Sequence, residues 1–476
     1  MNENINKDDN IRSLKAGFWY TLLNLATGLL TFLSTGFFSR VMVKSDFGEY
    51  ETFLAWQSII GFIVTLNLDS SLISARYELK EKYHEYAFSC VILGWISTLV
   101  CCVAVNLLTR VFPGLIKYNI GYINIIFIYL AFFLVVEMFK TKNQIIFNHR
   151  ATMITVLCTT FLSTVLSMVL VMLMDNKLNA RIYGGLIPTV AVGMVLFVVL
   201  ARQGQRVVPA HWKYALPICL PYIPHLLSMT LLNSMDRIMV TDICGSESNA
   251  DYSIAYKCGL IISILSTAMN NSYSPWLGKQ LSDKNYEQIK SFSKTYVLIF
   301  SLFAAGFMLL APEALLIIGG KEYMGAKYAL LPVICGVSYQ FIYTMFVNIE
   351  QVKRKTVGMA VGSAFAALSN YILNMVFIPK YGYIAAAFTT MASYFLLMLF
   401  HLILVKIIGY SKVYDYKFML IVSASFACFV LVCENLYRLN GIRYAAVAVY
   451  IVLLIVMFMM NRSRIMELLK MLKTKA

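Results

Sequence analysis

The sequence predicts an all-α polytopic membrane protein of about fourteen transmembrane helices, and three observations carry that prediction. Hydrophobic residues make up 59% of the 476, charged residues only 13%, and the mean hydropathy is +0.71, values far from those of a soluble domain. Apolar runs of roughly 20 residues, the length that crosses a hydrocarbon core about 30 Å thick, recur along the chain. The runs are continuous and do not alternate, which excludes a β-barrel.

In chain order the spans are expected at 16–38, 51–73, 86–109, 122–146, 152–174, 184–201, 214–241, 251–277, 292–318, 328–350, 357–378, 383–405, 418–437 and 444–461. The first follows a polar stretch, is longer than a signal-peptide core and has no small-residue cleavage site, so it reads as an uncleaved anchor. The seventh carries Pro217, Pro221 and Pro224, each of which removes a backbone hydrogen bond, and is expected to kink there and act as a hinge. Trp19, Tyr20 and Trp212 suit an interfacial aromatic belt. The connectors are too short to fold into a catalytic domain, so any activity lies among the helices.

Net charge is +16, but its distribution argues against nucleic acid. With the N-terminus inside, alternate connectors and the tail hold 26 of the 40 basic residues, against 11 in the outward set, which includes Arg40, Arg181 and Arg443. The positive-inside rule then places both termini in the cytoplasm. The ten cysteines lie almost entirely within spans, without metal-ligand spacing, and read as small buried apolar residues; no metal or cofactor is expected. The tail beyond the last span, with Leu468, Leu469 and Leu472 on one side, reads as an amphipathic helix at the membrane surface.

Internal comparison finds two echoes. Ser39-Arg40-Val41-Met42-Val43 ends the first span and Asp236-Arg237-Ile238-Met239-Val240 the seventh, with Tyr50 and Tyr252 following their outer turns. Tyr183-Gly184-Gly185 precedes the sixth span as Tyr381-Gly382-Tyr383 precedes the twelfth. Six spans separate corresponding points, so the halves share one orientation, related by an axis along the membrane normal. The expected division is a six-helix bundle over 1–203, a second over 204–405, and two extra helices with the basic tail over 406–476.

These residues resemble a known family. Arg40, Asp46-Phe47-Gly48 and Tyr50 are similar to the first outer turn of the Wzx-type polysaccharide flippases, O-antigen and capsule exporters of the MOP superfamily. Pro217, Pro221, Asp236-Arg237, Gly245, Tyr252 and Pro275 follow the family's order, as do Asn370, Asn374, Pro379, Tyr381-Gly382, Ala385-Ala386-Ala387 and Thr389-Thr390. The resemblance implies a MATE-like fold with a central cavity between two bundles. It also implies alternating access that carries an undecaprenyl-pyrophosphate-linked oligosaccharide outward for surface-polysaccharide synthesis. Its partners would be that lipid-linked cargo, membrane lipid, and a polymerase and other assembly proteins, with the chain itself a monomer. Many relatives have twelve spans; fourteen is similar to the lipid II flippase branch, whose extra helices lie beside the core.

A charged side chain at mid-bilayer costs on the order of 2.5–3.5 kcal/mol, so such residues usually face water or a partner. Arg237 and Lys257, and Arg40 as the repeat counterpart of Arg237, are therefore the candidate contacts to an anionic pyrophosphate, whose oxygens guanidinium groups bind in pairs. The competing reading is that the arginines snorkel to headgroups or pair with Asp46, Asp236 or Asp242. Asn24, Tyr222, His225, Asn233, Asn270, Asn271, Asn348, Asn370 and Asn374 are candidates to line a sugar cavity, although asparagine also joins membrane helices. Among the acids Asp69, Glu137, Glu313 and Glu350, the pair Asp69 and Glu137 are candidates for coupling to a proton or sodium gradient, set against pairing with Arg76, Lys140 or Lys142. His225 and His401 read as hydrogen-bonded interior residues, since no carboxylate or nucleophile stands at a useful sequence spacing.

Three other functions stay open, the first being a lipid II flippase. A multidrug exporter of the same superfamily would line its cavity with acids for cationic drugs, and the first span has none. A membrane glycosyltransferase or polymerase would need a sizeable outer loop or a carboxylate pair, and neither is present, so the chain is not expected to be an enzyme.

Overall fold

The computed structural model describes residues 2–114, 118–355 and 357–460. The amphipathic helix expected around Leu468, Leu469 and Leu472 lies outside these residues. Among them there is no strand. The helices are α1 (Asn2–Val41), α2 (Lys44–Val64), α3 (Leu72–Glu78), α4 (Tyr83–Val111), α5 (Ile120–Ile145), α6 (His149–Leu173), α7 (Lys177–Gly204), α8 (Ala210–Cys219), α9 (Ile223–Cys244), α10 (Ser246–Ser282), α11 (Tyr286–Leu309), α12 (Ala311–Ile318), α13 (Lys327–Val352), α14 (Val357–Tyr381), α15 (Tyr383–Ile407), α16 (Tyr416–Leu436) and α17 (Asn440–Met460).

Among the described residues, twelve helical segments are long and apolar enough to cross a membrane, or thirteen with the bent pair Lys44–Val64 and Leu68–Glu78; Gly441–Met457 is a shorter apolar helix. Each of the fourteen expected spans thus meets a helix, and this is a multi-pass membrane protein. The expected ninth span stops early. Leu310 ends α11, and Pro312, which has no N–H to give to that helix, stands at the start of the separate α12.

Helix starts follow local chemistry. The side chains of Asn119, Asn148 and Asn176 accept from the backbone N–H groups of Gly121, Ala151 and Asn179, capping α5, α6 and α7. Asp415 does the same for Phe418 at α16. Two backbone breaks stand out. Between α2 and the 3-10 turn Leu68–Ser71, Leu66 and Asn67 both take the left-handed conformation, at φ 53° and 50°, and the span bends by 46°. Between α8 and α9 the helix tightens into a 3-10 turn at Leu220–Tyr222, where the three prolines of the seventh span cluster. All three prolines are exposed.

Contacts divide the chain into two compact units, one of Met1–Ile254, Ile318–Gly320 and Thr356–Thr389, the other of Ala255–Ile317, Lys321–Lys355 and Thr390–Ala476. In the first unit an apolar cluster joins Leu68, Leu72, Tyr86, Val91, Leu134 and Leu200. Beside it Trp95 stacks on Phe197 at 4.4 Å and donates its N–H to the Ala131 carbonyl at 2.8 Å. Small residues bring helices close, the usual device where lipid supplies no hydrophobic drive. A Cβ on Gly184 of α7 would stand 2.3 Å from the Cα of Ser167 of α6.

The second unit is built around α13 and an aromatic stack. Phe300 lies on Phe341 at 3.9 Å with planes 8° apart, and Tyr296 bridges Phe341 at 5.2 Å to Tyr273 at 4.6 Å. One polar edge of this stack is occupied: Tyr273 bonds the Ser293 hydroxyl at 2.8 Å, and the neighbouring Tyr414 donates to the Met345 carbonyl at 3.0 Å. The last helix is held by charge. Arg443 grips the Glu313 carboxylate through two bonds of 2.6 and 2.7 Å, and Tyr444 adds a third at 3.0 Å. The expectation that Arg443 belongs to an outer connector is thereby corrected, because α17 begins at Asn440 and carries Arg443 inward to 3% exposure.

Candidate substrate site and the seam beside it

The site is best approached through a seam in the first unit, where the turn between α1 and α2 meets the turn between α9 and α10. Gly48 of α2 makes the approach possible: a Cβ there would fall 1.7 Å from the Ser246 carbonyl oxygen and 3.0 Å from the Ala250 nitrogen of α10. No other residue allows two backbones this close. Around that contact the bonds are polar. Asn249 donates to the Gly48 carbonyl at 2.8 Å and to the Thr52 hydroxyl at 2.9 Å; Thr52 and Thr241 share a bond of 2.6 Å; Ser246 donates to Glu49 at 3.0 Å. Lys44 pairs with Asp251 at 2.8 Å, with both side chains partly exposed.

One turn deeper, Asp236 of α9 is fully buried. It accepts from the Tyr252 hydroxyl and from the Asn374 amide, both at 2.6 Å, and Asn374 also reaches Asn370 at 3.1 Å and takes a bond from Thr389. These are the residues quoted in the family-like motifs, and they tie α14 to α9. The amide of Asn374 is thus spent within a buried network, as is Asn370.

The candidate anion contacts are distributed. Arg237 is half-buried on α9, and Arg40 is exposed at the end of α1, with its guanidinium reaching the Ile318 carbonyl at 3.2 Å. Both belong to the first unit, whereas Lys257, half-buried on α10, belongs to the second. Of the candidate sugar-lining residues, Asn24 and Tyr222 are exposed and Asn233 is half-buried in the first unit. His225 meets Ser363 at 2.8 Å through Nδ1. In the second unit Asn271 is exposed, while Asn348, itself buried, donates to Asn270 at 2.8 Å.

Asp69 and Glu137 come together. They line one cavity of about 350 Å³ in the first unit with Gln57, Thr65, Asn67 and Tyr129, and Glu137 is also bonded to Lys140. An apolar cavity of about 520 Å³ runs nearby between α2, α4, α5 and α9, lined by Trp56, Tyr118, Phe127 and Ile238. Among the described residues no group of three or more histidine, cysteine or acidic side chains is placed to hold a metal.

Sequence reasoning missed one buried charge here. Arg181, expected in an outer connector, is 5% exposed inside an aromatic cage, its guanidinium 3.9 Å from the Tyr50 ring centre, 4.2 Å from Phe38 and 5.0 Å from Phe47, with Glu51 at 3.9 Å. The physical reason is the position of the helix start. The Asn176 cap opens α7 about two turns earlier than hydropathy indicates, so Arg181 lies inside the helix. The seam residues Thr52, Thr241 and Asn249 were also missed; the signal was the spacing of small and polar residues at Gly48/Thr52 and Asn249/Ser253, four apart on one helical face.

The fold is similar to solved transporters. A structure of the lipid II flippase MurJ in an inward closed conformation matches over 94% of this chain and 99% of its own, at a TM-score of 0.69 and 16% identity. A MOP superfamily transporter from Pyrococcus furiosus, described as having a binding pocket of reversed polarity, matches over 83% and 93%, at 0.51 and 16%. A multidrug resistance MATE family transporter in an inward-facing conformation matches over 85% and 94%, at 0.52 and 15%. No curated protein matches significantly. The family model for polysaccharide biosynthesis proteins matches residues 13–281, more than half of the chain, and the protein is therefore a member of the polysaccharide biosynthesis protein family.

Proposed function

We propose that this chain is a flippase that carries an undecaprenyl-pyrophosphate-linked oligosaccharide across the bacterial inner membrane, towards surface polysaccharide. Family membership and the MOP-type fold support a transporter of lipid-linked cargo. The observation that carries the mechanism is the seam: the two repeat-related turns touch through a few hydrogen bonds over Gly48, a contact that water can replace when it opens. Opening and resealing such a contact is what alternating access asks of one face of a carrier. The repeat-based bundles 1–203 and 204–405 would rock about the proline turn at Leu220–Tyr222, with both termini on the basic, cytoplasmic side.

In this reading Arg237 and Lys257, with Arg40 in support, hold the pyrophosphate; the exposed Asn24, Tyr222 and Asn271 meet sugar; and Asp69 with Glu137 takes the coupling cation. The test is complementation of a strain lacking its own polysaccharide flippase. Restored surface polysaccharide, lost in Arg237→Ala and Lys257→Ala variants that still reach the membrane, is the expected result. Restoration of cell-wall growth in a lipid II flippase mutant instead would move the cargo to the peptidoglycan precursor, and full export by both variants would remove the two cations from the mechanism.

A further inference from the structure

The second unit holds a titratable pair outside the proposed cargo and coupling sites. Glu350, near the end of α13, is 0% exposed, and its Oε1 lies 2.7 Å from Nδ1 of His401 on α15, which is 1% exposed. The other carboxylate oxygen, Oε2, is buried and has no hydrogen-bond partner. The ring of Tyr343, two turns back on α13, lies 5.4 Å from His401, and Phe400 lies edge-on at the same distance. The site is therefore enclosed and partly aromatic. Yet it is two residues from the end of α13, where Arg354 and Lys355 are exposed.

Charged groups on the neighbouring elements are turned to other partners. Lys406 of α15 lies 4.8 Å from the Tyr416 ring centre, Lys353 is 5.1 Å from that of Tyr410, and Lys294 of α11 is bonded to Asp415 at 2.6 Å. Of the nearby phenols, Tyr414 donates to the Met345 carbonyl and Tyr416 to the Tyr410 carbonyl at 2.7 Å, while Tyr343 stands close enough to interact with the Glu350 charge. The carboxylate thus depends on the imidazole.

We propose that Glu350 and His401 form a proton-binding site that holds one proton between α13 and α15 and exchanges it with water at the end of α13. With one proton the pair is neutral overall, whether that proton sits on the imidazole or on the carboxyl. Losing it to water leaves a bare carboxylate beside a neutral ring; gaining a second, at Oε2, leaves an imidazolium beside a neutral acid. Either state strands a unit charge in a low-dielectric pocket, and hydration restores the balance, so proton exchange is tied to separation of the two helix ends. This inference does not depend on what the chain carries.

The test uses the full chain in lipid nanodiscs. Infrared difference spectra between acid and neutral pH are expected to contain a carboxylic-acid band that disappears in Glu350→Gln and persists in Asp69→Asn and Glu137→Gln. In parallel, nitrogen NMR of histidine-labelled wild type, assigned by loss of one of the five histidine signals in His401→Asn, is expected to show the His401 resonances moving over the same pH interval. The wild-type measurement stands even if a variant fails to fold. A spectrum unchanged by Glu350→Gln, or His401 resonances that stay fixed wherever the protein is folded, overturns the proposal and leaves the pair as a permanent structural tie.

Discussion

The seam of the first unit and the heart of the second hold helices together by opposite means. At the seam, α2 meets α9 and α10 through glycine-permitted backbone contact and short polar side chains, with a partly exposed ion pair at its edge. Around α13, stacked aromatic rings fill the space, and the Tyr273 and Tyr414 hydroxyls are fixed on buried partners. Hydrogen bonds to water and to protein are nearly equivalent in energy, so a polar contact can part at little cost once water enters. Stacked rings have no such substitute and lose their dispersion contacts outright. In the proposed cycle the seam is therefore the part suited to opening, and the aromatic stack the part suited to moving as a block.

The comparison is broken most severely at Gly48. Gly48→Leu forces the backbones apart, and export is expected to fall to background while the protein still reaches the membrane; wild-type export would show that the seam need not close. A Thr52→Cys/Thr241→Cys pair sharpens the point, since the hydroxyls are 2.6 Å apart and a disulfide is within reach. Oxidation is expected to stop export and reduction to restore it, with gel mobility confirming the bond. In the other region, Phe341→Ala is expected to lower stability by about 3 kcal/mol, read as a lower melting temperature, with the export of surviving protein little changed. Lys44→Ala at the edge of the seam is expected to cost only about 0.5 kcal/mol, because its ion pair is partly solvated.

The smallest effect is electrostatic. The Lys294 ammonium and the Phe418 N–H hold the Asp415 carboxyl below its ordinary range. A depressed value in the folded state means that the stabilisation is present above the ordinary carboxylate range and is lost as pH falls through the folded value. The melting difference between wild type and Asp415→Asn is therefore expected to be present at neutral pH and to vanish in acid.

Much of the fold was legible because hydropathy integrates over a whole span: the expected span 122–146 meets α5 at Ile120–Ile145, and 383–405 meets α15 at Tyr383–Ile407. What hydropathy misses is where a helix starts, since caps lie in polar connectors. That is why Arg181 and Arg443 were placed outside, and why their partners Glu51 and Glu313 could not be assigned. The family-like motif around Gly48 was visible as letters, but its meaning depends on Ser246 and Ala250, about two hundred residues away. Asp69 and Glu137 were chosen only because acids are rare in spans; their shared cavity is a product of the bend at Leu66 and Asn67.

That bend has an electrical outcome of its own. By ending α2 early, it turns the carbonyl end of a 21-residue helix, the negative pole of its summed peptide dipoles, toward the recess that Gly61, Thr65 and two acids already line. The backbone thus adds negative potential to that recess, which opposes a phosphate group and favours a small cation whatever the side chains do.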